Sequence, residues 1–183
     1  MKILFTLKRT LIVAALMALP MAHAASMTKA DFKAGKTRIS ADYKADKAAC
    51  ASQAGNANDI CVQEARAKEK VARAELNFSY SGKPNDQTKI LVAKAESSYA
   101  VAKERCDDLA GNPKDVCVKQ AKAVEVKALA DAKLGRTIGD ARSDASDTKR
   151  DADYRVATEK CDALAGDAKA SCMAAARANF GKG

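Results

Sequence analysis

Six cysteines are the residues of this chain with the most chemistry to offer, and they fall into three evenly built pairs: Cys50 with Cys61, Cys106 with Cys117, and Cys161 with Cys172, each with ten residues between. Paired thiols can transfer electrons, hold a metal or close a disulfide. Redox catalysis calls for closely spaced C-x-x-C thiols on a helix start that depresses a thiol pKa, and a ten-residue gap does not supply it. Zinc calls for short cysteine hooks or for histidine, and the one histidine, His23, lies in a segment expected to be removed. Copper on scattered thiols would want a methionine cluster that is not present. An even cysteine count in an exported chain points to an oxidising compartment and a disulfide framework. A thiol-based metal or redox buffer is the rival reading.

The elements that must position these pairs repeat with them. Tyr43 to Cys61 reads YKADKAACASQAGNANDIC, Tyr99 to Cys117 reads YAVAKERCDDLAGNPKDVC, and Tyr154 to Cys172 reads YRVATEKCDALAGDAKASC. The first cysteines lie 56 and 55 residues apart. In each unit a glycine, Gly55, Gly111 or Gly166, can close one helix in the left-handed conformation, and Asn56, Asn112 or Asp167 can cap the next. Pro113 suits a first helical position. The cysteines stand five residues before the glycine and five after the capping residue, so they come level across an antiparallel helix pair, where a disulfide can form. The repeat thus pairs Cys50 with Cys61, Cys106 with Cys117 and Cys161 with Cys172. Apolar residues recur at helical spacing on both arms, as in Val92, Ala95, Tyr99, Ala102, Cys106 and Leu109, then Cys117, Ala121, Val124 and Ala128.

Turn-like composition at Ser81-Gly82-Lys83-Pro84 and from Gly135 to Gly139 separates the units. The expected fold is all-α: three tandem disulfide-clamped αα-hairpins, elongated or loosely bundled. Six helices are predicted, near residues 37–54, 57–79, 85–110, 113–134, 140–165 and 168–179. The division is 1–24 leader, 25–80 first hairpin, 81–134 second, and 135–183 a shortened third.

The leader is read from Lys2, Lys8 and Arg9, the apolar run Leu11 to Leu19, Pro20, and the small-residue site Ala22-His23-Ala24. Its apolar stretch is short for a bilayer span, and no later stretch is longer, so no membrane span is expected. Beyond residue 24 the chain carries 29 Lys and Arg against 23 Asp and Glu. Of those 159 residues 36 are alanine and only 22 are Val, Ile, Leu or Phe. That apolar share lies below the roughly 20% of an ordinary packed core. Ala, Glu, Lys, Leu and Arg supply 78, close to the ~50% typical of long helices. Thin pairs of long alanine-rich helices fit both numbers.

Tyr43, Tyr99 and Tyr154, two turns before the first cysteine of each unit, are expected to pack across the hairpins as structural repeat residues. Lys114, Lys119, Lys122, Lys127 and Lys133 could form a polyanion stripe, but Asp115, Glu125 and Asp131 interrupt it, as on a solvated helix face. Asp107 and Asp108 are read likewise. No Ser/His/Asp or Cys/His set and no phosphate loop is available, so neither catalysis nor a cofactor is expected.

The segment YAVAKERCDDLAGNPKDVCVKQAK, Tyr99 to Lys122, resembles small exported, Ala- and Lys-rich proteins of Gram-negative bacteria, often loosely labelled cell-envelope or TolA-like. The C-x10-C pairs with an intervening A-G-[ND] carry the resemblance, over most of the chain beyond the leader. TolA itself shares only the helical composition. The resemblance implies the periplasm and a helical fold. The expected role is a non-enzymatic structural or interaction protein of the cell envelope, linked to stress tolerance, with an envelope component or another protein as partner. The alternative is a binder of polyanions such as lipopolysaccharide, with nucleic acid disfavoured by the interspersed charge.

Overall fold

A computed structural model describes residues 27–182, so the expected leader, residues 1–24, lies outside the described residues. The first helix starts on a capping box. The Thr28 hydroxyl accepts from the Asp31 backbone N–H, and the Asp31 carboxylate accepts from the Thr28 N–H. Helix α1, Lys29–Ala49, therefore begins eight residues before the sequence-based boundary. A 3-10 turn, Cys50–Ser52, ends it. Then come α2, Asn56–Ser81, α3, Pro84–Cys106, α4, Gly111–Asp162, and α5, Gly166–Phe180. Among the described residues there is no strand. The chain is all-helical, and three disulfides clamp consecutive helices into hairpins.

Two expectations need correction. Five α-helices replace six, because Gly135 to Gly139 does not break the chain: α4 runs unbroken for 52 residues, about 78 Å at 1.5 Å per residue. The cause is visible by contrast with the preceding junction. There Gly82 takes a φ of 62° and closes α2, and Pro84 opens α3 at its first turn. Gly135 and Gly139 keep negative φ, no proline follows, and two glycines in a helix cost only about 1 kcal/mol each. The Thr137 hydroxyl donates to the Lys133 carbonyl through this stretch.

The hairpin bends also differ from the expected stop-and-cap. Each outgoing helix ends three to five residues early. At all three bends the N–H three residues after the first cysteine donates to that cysteine's carbonyl, at 2.9, 3.0 and 3.0 Å. Gly55, Gly111 and Gly166, with φ of 58°, 60° and 56°, open the second helix instead of closing the first. No side chain caps α2, α4 or α5. Asn56 instead donates from Nδ2 to the Glu104 carbonyl and the Asp108 carboxylate, joining the first hairpin to the second.

Consecutive helices pack on one another, and among the described residues no two others come within packing distance. Helix α3 is accordingly buried on two opposite faces. Ala93 and Ser97 lie against α2, while Ala95 and Cys106 lie against α4. The arrangement is a serial layer of antiparallel helices and not a bundle around one axis. Leu109 and Val124, assigned to the apolar stripes by their spacing, are 45% and 64% exposed. Leu109 lies beyond the end of α3, and α4 turns Val124 to the rim of its contact with that helix.

Ion pairs lace the layer: Lys68 to Asp46 across α1 and α2, and Lys70 to Glu96, Lys94 to Glu75 and Arg105 to Glu64 across α2 and α3. All are exposed, and such pairs contribute only about 0–1 kcal/mol each.

Two outcomes follow from these glycines. Gly111→Ala meets no atom within 4 Å, so its cost is backbone strain at positive φ, about 1–3 kcal/mol. Gly139→Ala, at a helical φ, raises stability by about 0.4–1 kcal/mol. Urea unfolding of both variants reads the opposite signs. At the α2–α3 junction Asp86 accepts from Lys89 and from the Ser81 hydroxyl, and these bonds, Lys89 first, hold its carboxyl below the ordinary Asp range. A lowered carboxyl stabilises fully above its unfolded value of about 3.9, and that contribution is lost as pH falls through the folded value. Asp86→Asn should therefore flatten the fall in melting temperature below about pH 4.

Candidate functional site

Three sulfur links and the surfaces they hold in register make up the site. Cys50–Cys61, Cys106–Cys117 and Cys161–Cys172 have Cα separations of 5.6, 5.7 and 5.7 Å, inside the span a disulfide requires. Each bridge ties the last turn of one helix to the second turn of the next, the level pairing that the C-x10-C spacing indicates. Cys50, Cys106 and Cys161 are 1%, 0% and 1% exposed, the most deeply buried large side chains described. No described cysteine is free, so the chain in this state offers no thiol to a metal or an oxidant. Among the described residues no cluster of His, Cys, Asp or Glu is placed to hold a metal ion. Three disulfides are the mark of an oxidising, extracytoplasmic compartment, and no described helix is long and apolar enough to cross a membrane.

The repeated tyrosines stand where two-turn spacing puts them, each half-buried beside its hairpin, but with three different neighbours. Tyr43 lines a crevice with Ile39 and Ala65 between α1 and α2. Tyr99 carries the Lys122 ammonium 4.8 Å from its ring centre. Tyr154 meets Phe180 of α5 edge to face at 6.1 Å. The open end of the first hairpin is closed by a stacked pair outside the repeat, Phe32 on Tyr80 at 4.4 Å.

Two adjoining shallow troughs run along α3. One, about 540 Å³, lies between α3 and α4 and is lined by Leu91, Ala95, Tyr99, Ala121, Val124 and Ala128. The other, about 810 Å³, lies towards α2 and is lined by Ala67, Val71, Ala72, Val101 and Ala102. They share Lys94, Ser98 and Ala102, so the surface is continuous. Most of the lining is carbon, and Leu91 at its rim is 50% exposed.

A charge on this surface was not anticipated. Glu125, read from the sequence as an interruption in a solvated stripe, is 6% exposed and accepts from Lys122 at 2.6 Å. That bond, ahead of all other effects, raises the Lys122 pKa. The signal was available in part: Glu125 stands four residues after Ala121 and seven before Ala132, on the face that meets α3. The Ser97 hydroxyl, buried against α2, has no hydrogen-bond partner among the described residues.

Of the candidate basic stripe, Lys114 is paired with Asp107 and Lys122 with Glu125. Lys119, Lys127 and Lys133 lie exposed along α4.

Replacing Cys106 and Cys117 together by serine should lower stability by about 2.5–3 kcal/mol, the loop-closure entropy of so short a cross-link. Urea unfolding of that variant, with the outer bridges intact, would show a lower midpoint.

No protein-family model, no curated protein and no solved structure matches this chain.

Proposed function

We propose that the chain is a non-enzymatic periplasmic protein that acts as a structural or interaction module of the cell envelope. The supporting observation is the continuous apolar trough along α3, with Leu91 and Val124 exposed at its rim, on helices fixed by covalent links. A scaffold whose shape is set by disulfides keeps such a surface open at little entropic cost to binding. Exposed carbon in a contiguous groove, with ion pairs around it, suits an apolar helical face of a protein or lipoprotein partner. The resemblance to small exported Ala- and Lys-rich envelope proteins supports the periplasmic part of this reading, and a role in stress tolerance is part of the proposal. Cations at the trough are already neutralised, Lys94 by Glu75, Arg105 by Glu64 and Lys122 by Glu125. That favours a protein partner over a polyanion.

A photo-crosslinking residue placed at Leu91 in the living bacterium tests this. A discrete adduct with an envelope component, lost when Val124→Glu adds charge at the rim, is the expected result. Labelling at Leu91 no stronger than at Lys169 on the last hairpin would overturn it.

A further inference from the structure

Helix α4 carries two hairpin partners on one side and nothing on the other. Cys117, Ala121, Glu125, Ala128 and Ala132 face α3, and further along Tyr154, Ala157 and Cys161 face α5 on the same side of the rod. On the opposite side Ala123, Ala130, Leu134, Ile138, Ala141, Ala145, Thr148, Ala152 and Val156 recur at intervals of three, four or seven. All are exposed, Leu134 at 58%, Ile138 at 43% and Val156 at 55%. Every residue from 133 to 150 is exposed; the start of α3 lines a crevice with Gly135, Arg136 and Asp140, and from 141 to 150 no helix lies beside α4.

The repeat indicates what is missing. Between the first two units, α2 packs on α3 and Glu75 meets Lys94 at 3.0 Å. One repeat further on, the counterparts of those residues are Asp131 and Lys149, both on α4 and without an ion pair among the described residues. The turn that folds α3 back on α2 has no equivalent at 135–139, so the first and second halves of α4 are collinear and cannot meet within one chain.

We propose that a second copy of this chain packs antiparallel along α4, crossing near residue 139. In the register fixed by Asp131 and Lys149 the stripe is self-complementary, as a two-fold interface requires. Leu134 lies opposite Ala145 of the second copy, Ile138 opposite Ala141, and Val156 opposite Ala123, large against small throughout. Asp131 and Lys149 flank the stripe on one edge. On the other edge Lys133 comes within one helical turn of Asp144, again opposite in sign and again free of ion pairs among the described residues. The halves are complementary as wholes. From Gly111 to Gly139 six basic residues stand against three acidic, +3, and from Asp140 to Asp162 five stand against seven, −2. Antiparallel pairing sets +3 against −2, whereas parallel pairing sets like on like. About 50 Å of paired helix buries on the order of 1,000 Å², the lower limit for a specific interface. A reversible dimer is the corresponding state. The apolar stripe itself is separate from the trough along α3, and of the interface residues named only Asp131 borders both.

Sedimentation equilibrium of the purified, oxidised protein from about 1 to 500 μM tests it. A mass rising to twice that of one chain is expected. Ala145→Glu, at an exposed helical position, should abolish the rise with the far-UV circular dichroism unchanged. Asp131→Lys should weaken association about tenfold, and Asp131→Lys with Lys149→Asp together should restore it. A protein that stays at single-chain mass throughout, including one made compact by folding at 135–139, would overturn the proposal. So would a dimer that neither Ala145→Glu nor Asp131→Lys weakens.

Discussion

Everything in this structure follows from a shortage of large apolar side chains. Helices faced with alanine can lie close together, but each alanine removes little carbon surface from water, and the fold must find its stability elsewhere. The buried set shows the substitution plainly. Its apolar members, apart from Ile39, are alanines and three cysteines, and the three fully buried large side chains are Cys50, Cys106 and Cys161. A cross-link at the closed end of a hairpin acts mainly on the unfolded chain, by removing conformations that open the pair. It demands no core, only that two helices come level at one point. Three such points, one per repeat, are what the chain has.

That constraint also sets the architecture. A helix pair held by one end needs no third helix to complete a core, so the helices add in series and each touches its sequence neighbours. Exposed ion pairs between α2 and α3 keep the layer in register at small net gain. The long α4 is the extreme consequence: it belongs to two hairpins at once and crosses the space between them without support. The charge along it, Arg136 with Asp140 and Arg150 with Asp147, is what a single helix in water uses.

Much of this was legible in the residues. The C-x10-C spacing with a central glycine and polar neighbour gives the hairpins and the sulfur pairing, because both depend on local geometry and chain reach. The helix ends were less legible, because the glycines with positive φ serve the start of the second helix while a 3-10 closure ends the first. The Thr28-x-x-Asp31 capping box was present in the sequence and places the start of α1. Gly135 to Gly139 carries turn residues, yet glycine without proline or a left-handed closure only weakens a helix. Burial of Glu125 was not readable from the charge pattern; only its spacing from Ala121 and Ala132, which sets its rotation on α4 towards α3, signalled it.

Hydrogen exchange on the oxidised and the fully reduced protein tests most directly whether sulfur replaces the core. With the bridges intact, amide protection should be greatest around Cys106 and Cys117, where the bridge holds α4 on α3 and α3 also packs on α2, and least from 133 to 150. Reduction should abolish protection in all three hairpins. Protection that survives reduction around Cys106 and Cys117 would contradict the account.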